Sequence, residues 1–168
     1  MTDSARPSAA DTSSVQQFLT FKIRHECFAM ELSQTREIIE YDGVTEVPLM
    51  PGFLSGVINL RGEVVPVIDL SVRLGREPLD INRRTCIIIV ELFSSGQQHT
   101  IGLLADSVSE VCDIDSVDIE SAPAFGAKIR AEFIRGIAKF DDEFIVILDA
   151  DKTLSIRELA KLVESELE

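Results

Sequence analysis

The 168-residue chain has no tryptophan and one tyrosine, so it has little with which to build the stacking platforms that hold single-stranded nucleic acid. It is also short of positive charge: 16 lysines and arginines stand against 29 aspartates and glutamates, a formal net charge of −13 at pH 7. Nucleic-acid affinity rests on cations that neutralise phosphates, and an anionic membrane surface repels a protein of this sign, so neither is expected as a ligand.

Histidine is limited to His25 and His99, and cysteine to Cys27, Cys86 and Cys112 at wide spacings. That distribution contains no zinc-ligand spacing, redox pair or His-Glu-x-x-His arrangement. No metal is expected, and the thiols read as small hydrophobes in a reducing compartment. The longest apolar run, at residues 86–90, falls far short of the roughly 20 residues of a membrane helix. The N-terminus lacks the basic and apolar regions of a signal peptide, so a cytoplasmic protein without direct membrane insertion is expected.

Phosphate-cradling glycine motifs and nucleophile elbows are also missing, which removes the usual sequence signs of an enzyme and of a cofactor. The acidic run Asp113-x-Asp115-x-x-Asp118 lacks the turn glycine and terminal glutamate of a calcium loop, and Asp141-Asp142-Glu143 falls in an expected hairpin turn, so both read as solvated turns.

What the chain does have is short β-type segments, and they occur twice. Residues 53–57 (Phe-Leu-Ser-Gly-Val) are echoed by 133–137 (Phe-Ile-Arg-Gly-Ile), and Asp69 by Asp149, at a constant offset of 80. Glu37-Ile38 matches Glu110-Val111, and Pro48 matches Pro123, at slightly smaller offsets. Two tandem copies of one β-rich unit follow, the first at about 16–76 and the second at about 85–154. Each offers about five short strands separated by Gly, Pro and Asn turns, a pattern suited to small closed barrels without free edges. Exchange of strands between the halves is compatible with this pattern.

Strands are expected at residues 18–23 and 27–32, with His25 and His99 at corresponding hairpin tips. Residues 33–40 read as one or two helical turns capped by Ser33 and burying Ile38 or Ile39. Residues 1–14, rich in Ser, Ala, Asp and Pro, read as a disordered tail. Residues 155–168 open with the capping box Ser155-Ile-Arg-Glu158 and carry Ile156, Leu159, Ala160, Val163 and Leu167 on one stripe, the signature of an amphipathic helix.

The most distinctive stretch is residues 51–70, read as a hairpin with an exposed turn at Arg61-Gly62. The second copy has Asp141-Asp142 at that turn. The scaffold repeats while the tip changes charge, which singles out Arg61 as a recognition residue. Asp69 and Asp149, by contrast, recur in both copies and read as local caps.

Gly56-Val57-Ile58-Asn59-Leu60-Arg61-Gly62, then Val65-Pro66-Val67-Ile68-Asp69-Leu70, together with Glu37-Ile38 and residues 101–108, resemble the CheW coupling proteins of bacterial chemotaxis. The resemblance runs from about residue 18 to 154. It implies an all-β fold of two pseudo-symmetric SH3-like β-barrels, and a non-catalytic adaptor joining the cytoplasmic tip of a chemoreceptor to the regulatory domain of the histidine kinase CheA. It further implies a receptor-facing surface at Glu37, Gly56, Val57 and Arg61, and a place beside membrane-bound receptor arrays. Thr35 departs from the family, which usually has an aliphatic residue there. Two other readings stay open at this point: an adaptor of another kinase-controlled pathway, such as twitching motility, and a small-molecule-binding or catalytic barrel.

Overall fold

The structure is a computed structural model and describes residues 14–94, 96–121 and 131–154. Among these residues the fold is all-β, with ten strands in two five-stranded sheets. The first repeat supplies β1 (Val15–Ile23), β2 (Glu26–Glu31), β3 (Thr35–Glu40), β4 (Leu54–Leu60) and β5 (Glu63–Asp69). The second supplies β6 (Cys86–Ser94), β7 (Gln97–Ala105), β8 (Ser107–Asp115), β9 (Ile134–Phe140) and β10 (Glu143–Leu148). Two single-turn helices, α1 (Leu70–Arg73) and α2 (Ala150–Thr153), follow β5 and β10. Residues 1–13 of the expected tail and the expected C-terminal helix lie outside the described residues. Ser14, assigned to that tail, is instead tied down: its N–H donates to the Ser116 hydroxyl at 3.2 Å, and its carbonyl accepts from the Ser116 N–H at 3.0 Å.

The sheets do not follow the repeats. One sheet runs β8-β1-β2-β10-β9 and the other β3-β6-β7-β5-β4, so each repeat lends its opening hairpin to the sheet completed by the other. The joins match: β1 is antiparallel to β8 as β6 is to β3, and β2 is parallel to β10 as β7 is to β5. A closing bridge recurs too. Thr45 and Val57 exchange two backbone hydrogen bonds of 2.9 Å, and Glu120 and Ile137 exchange bonds of 2.9 and 2.8 Å. Each bridge draws the last strand of its row back toward the first, which limits exposed edges.

Strand periodicity explains where the core sits. Along β6, Ile87 and Ile89 point into a cluster with Leu60, Val65, Val67 and Leu104 inside their own sheet, while Ile88, Val90 and Leu92 face the other sheet. Both faces of β6 are buried, so the run is continuously apolar instead of alternating. The other sheet has its own inner cluster around Phe18, Ala29, Ile145 and Ile147. Between the sheets lies the largest cluster, in which Leu19, Phe21, Ile23, Phe28 and Met30 meet Ile88, Val90, Leu92, Ile101 and Leu103. One shared core therefore holds the two sheets together.

Arg73, 9% exposed, crosses the boundary between the repeats at this core. Its guanidinium lies 5.1 Å from the centre of the Phe53 ring and 4.8 Å from that of Phe133, residues equivalent in the two repeats. Its Nε donates to the Thr153 carbonyl at 2.7 Å. A planar cation stacked between two aromatic faces keeps favourable electrostatics after losing water.

Asp69 and Asp149 cap α1 and α2, as their recurrence suggests. Asp69 Oδ1 accepts from the Ser71 and Val72 N–H groups, and its Oδ2 accepts from the Leu79 N–H at 3.0 Å. Asp149 Oδ1 accepts from the Lys152 N–H at 3.1 Å. The expectation for residues 33–40 is corrected: only Leu32–Gln34 forms a 3-10 turn, and Thr35–Glu40 is strand β3. β-branched Thr35, Ile38 and Ile39 suit a pleated edge, and pairing with β6 outweighs the local helix signal. His25 sits in the β1–β2 turn, but His99 lies within β7 opposite Leu92, because the β6–β7 turn is shorter than the sequence suggests. The three thiols are pushed up from their ordinary range, chiefly by burial, which keeps them protonated and weakly nucleophilic.

Candidate functional site

The β4–β5 connection is a two-residue turn with Arg61 at φ 52° and Gly62 at φ 89°. Both central residues have positive φ, the geometry that matches the twist of the flanking strands. The Asn59 side chain holds the turn, its Oδ1 accepting from the Gly62 N–H at 2.8 Å. Arg61 is thus carried into solvent at a fixed position, its side chain 63% exposed. Its counterpart turn places Asp141 and Asp142 at φ 51° and 63°, so backbone geometry is kept while charge is reversed.

Arg61 is not alone at the tip. Its Nη2 is paired with Glu37 Oε2, which comes from β3 at the other end of the strand row. Glu37 is half-buried and also lies 3.8 Å from Arg36 Nε. Arg36 Nη1 in turn reaches Glu63 at 3.4 Å and Glu91 at 3.6 Å. The result is a network of two arginines and three glutamates gathered from β3, β5, β6 and the turn. Such exposed pairs contribute little individually, roughly 0–1 kcal/mol, but a network fixes where each charge stands.

Gly56 and Val57 belong to the same edge by a different route. Gly56 has φ 155°, and a methyl placed on it would lie 2.4 Å from the Thr45 carbonyl oxygen. Gly136 repeats the feature, with a methyl 2.8 Å from the Glu120 carbonyl oxygen. Glycine is required at both places because two backbones meet there. Gly56→Ala is expected to lower stability by roughly 2–4 kcal/mol, combining backbone strain with loss of the bridge. A urea melt checks it, and a midpoint within error of the parent would show that the edge can open freely.

Between Glu40 and Thr45 the chain leaves β6 and crosses toward β4. That detour leaves an open cavity of about 390 Å³, lined in part by Ile39, Glu40, Asp42, Val44 and Val57, with Ile87 at its base. The structure therefore brings the expected residues together on one sheet: Glu37 pairs with Arg61, at the end of the strand that bears Gly56 and Val57. Sequence reasoning missed Arg36, Glu63 and Glu91, whose only signal is adjacency to Glu37, Gly62 and the apolar run of β6. It also missed Thr45, the backbone partner that makes Gly56 necessary. The Thr35 hydroxyl is buried and has no hydrogen-bond partner among the described residues.

Paired sheets with a shared core, an ordered charge network and a shallow lined edge define a β scaffold that presents a surface to other molecules. The profile of the CheW-like domain family matches residues 17–158, and the chain belongs to that family. A chemotaxis protein CheW from Klebsiella aerogenes is 31% identical over 86% of this chain and 85% of its own length. A probable chemotaxis protein CheW from Rhizobium etli is 32% identical over 83% of this chain and 88% of its own. Among solved structures, the scaffolding protein TtCheW from Thermoanaerobacter tengcongensis superposes with a TM-score of 0.72 at 33% identity, covering 86% of this chain and 90% of that one.

Proposed function

We propose that the chain is a non-catalytic chemotaxis adaptor, joining the cytoplasmic tip of a chemoreceptor to the regulatory domain of the histidine kinase CheA. The receptor meets it at Glu37, Gly56, Val57 and Arg61. The observation that carries this reading is that Glu37 of β3 and Arg61 of the β4–β5 turn form an ion pair at the end of β4, the strand that also carries Gly56 and half-buried Val57. Apolar surface ringed by charge is the anatomy of a protein interface, with the charges setting register and encounter rate.

An adaptor does not need a large interface for each partner. Two weak contacts, each of about 1,200 Å² or less, gain strength when partners are held side by side in an array. Such a protein works on the cytoplasmic side of the membrane and reaches receptor arrays through its partners. The chemotaxis reading is favoured over an adaptor of another kinase-controlled pathway by the names of the curated relatives above.

Mixed with a soluble receptor-tip fragment and the kinase regulatory domain, the protein is expected to bind each alone and to bridge the two in one complex on analytical ultracentrifugation. Receptor and kinase fragments that associate equally well without it would overturn the adaptor reading.

A further inference from the structure

The charge network accounts for Glu37, Glu63 and Glu91, but two acids at and just beyond the end of β3 are left over. Glu40 and Asp42 carry no ion pair or side-chain hydrogen bond among the described residues, and both line the cavity beside Val57. Its walls are of two kinds. Ile39, Val44 and Val57 give an apolar side, and the two carboxylates give an anionic one. The base is Ile87, only 1% exposed, which closes the cavity against the sheet interior.

A site with an aliphatic wall and a free anionic rim suits one kind of side chain. Lysine and arginine have an apolar stem and a cationic head, and they settle where the stem can lie on hydrocarbon while the head stays near water and an opposite charge. A purely apolar side chain would leave the carboxylates without a partner, and an acidic one would be repelled. The volume of about 390 Å³ is ample for one such side chain.

We propose that this cavity is a pocket for a single lysine or arginine side chain of the receptor segment that meets Arg61 and Val57. The stem packs on Ile39, Val44 and Val57, and Glu40 and Asp42 hold the head. The proposal rests on the receptor-facing reading above and adds a specificity element to it. Continuity supports the assignment, since Val57 belongs both to the pocket and to the proposed receptor surface. A segment gripping this edge then presents an acidic group to Arg61 and a basic one to the cavity, so its orientation is fixed by two opposite charges.

The test uses a fluorescently labelled soluble chemoreceptor-tip fragment and the full-length protein, with affinity read by anisotropy at low and high salt. Glu40→Gln combined with Asp42→Asn keeps shape and removes charge, and is expected to weaken binding roughly tenfold at low salt, as for loss of a charge-assisted contact. The loss should shrink at high salt. Replacing each lysine and arginine of the fragment by glutamate, one at a time, should reveal one position whose defect is relieved by Glu40→Lys with Asp42→Lys. Parent-like binding by the Gln/Asn variant, with Arg61→Glu still defective, overturns the pocket and leaves the receptor surface standing. Parent-like binding by a folded Arg61→Glu variant would instead remove the surface on which the pocket depends. Relief at no position, or equally at every position, would also overturn the pocket, since the effect would then come from overall charge.

Discussion

Arg61→Glu is expected to reduce receptor-stimulated kinase activity by at least about tenfold while the protein stays folded, because a reversed charge at a complementary surface converts attraction to repulsion. The ion pair complicates the reading, since the new glutamate would face Glu37. Losing one exposed pair and gaining one exposed repulsion should cost about 1 kcal/mol, a small shift in a urea midpoint. A swap separates the two effects. Glu37→Arg with Arg61→Glu rebuilds the pair in reverse, so the midpoint should return while coupling stays low. If coupling returned with stability, the pair would be a structural clamp and Arg61 would lose its recognition role. Asp141→Lys, at the equivalent turn, should disturb coupling less.

The second large effect concerns the halves themselves. A chain cut between Ile81 and Asn82 yields two pieces of a size that often folds alone, yet neither contains a complete sheet. The first would hold β1 and β2 without β8 and β10, and β3 and β5 without β6 and β7. Each piece alone is expected to lack the cooperative melt and near-ultraviolet signal of the parent. Mixing them should restore both, with the complex sedimenting as one copy of each, because every missing neighbour is supplied by the other piece. A first piece that melted cooperatively as a monomer would show that a repeat can close its own sheet. During synthesis the same logic delays native pairing of the first repeat until β6 and β7 have emerged, and the many long-range pairings favour slow folding.

The duplication could be read from the chain because its offset is constant, and the cap role of Asp69 and Asp149 followed from their recurrence. The exchange of hairpins could not be read. A hairpin with two apolar faces is satisfied by either repeat's sheet, so periodicity leaves the partner undecided. β3 was obscured by Ser33 and the acidic residues after it, which mimic a helix start, whereas the pairing with β6 that decides the matter is non-local. At the site, Arg61 was visible through its contrast with Asp141. Glu37 stood out only through family likeness, because the two partners are 24 positions apart and meet across a gap in the sheet. The cavity left no sequence signal, being made by a backbone detour and not by a motif.

The core shared by the two sheets also has a mechanical meaning. Close-packed interiors are barely compressible and transmit strain, and here Arg73 is pinned between Phe53 of one repeat and Phe133 of the other. A pull applied at one sheet is delivered to the other without an intervening joint. In the proposed assembly of receptor and kinase, such a body would act as a stiff spacer that sets the distance between what it holds.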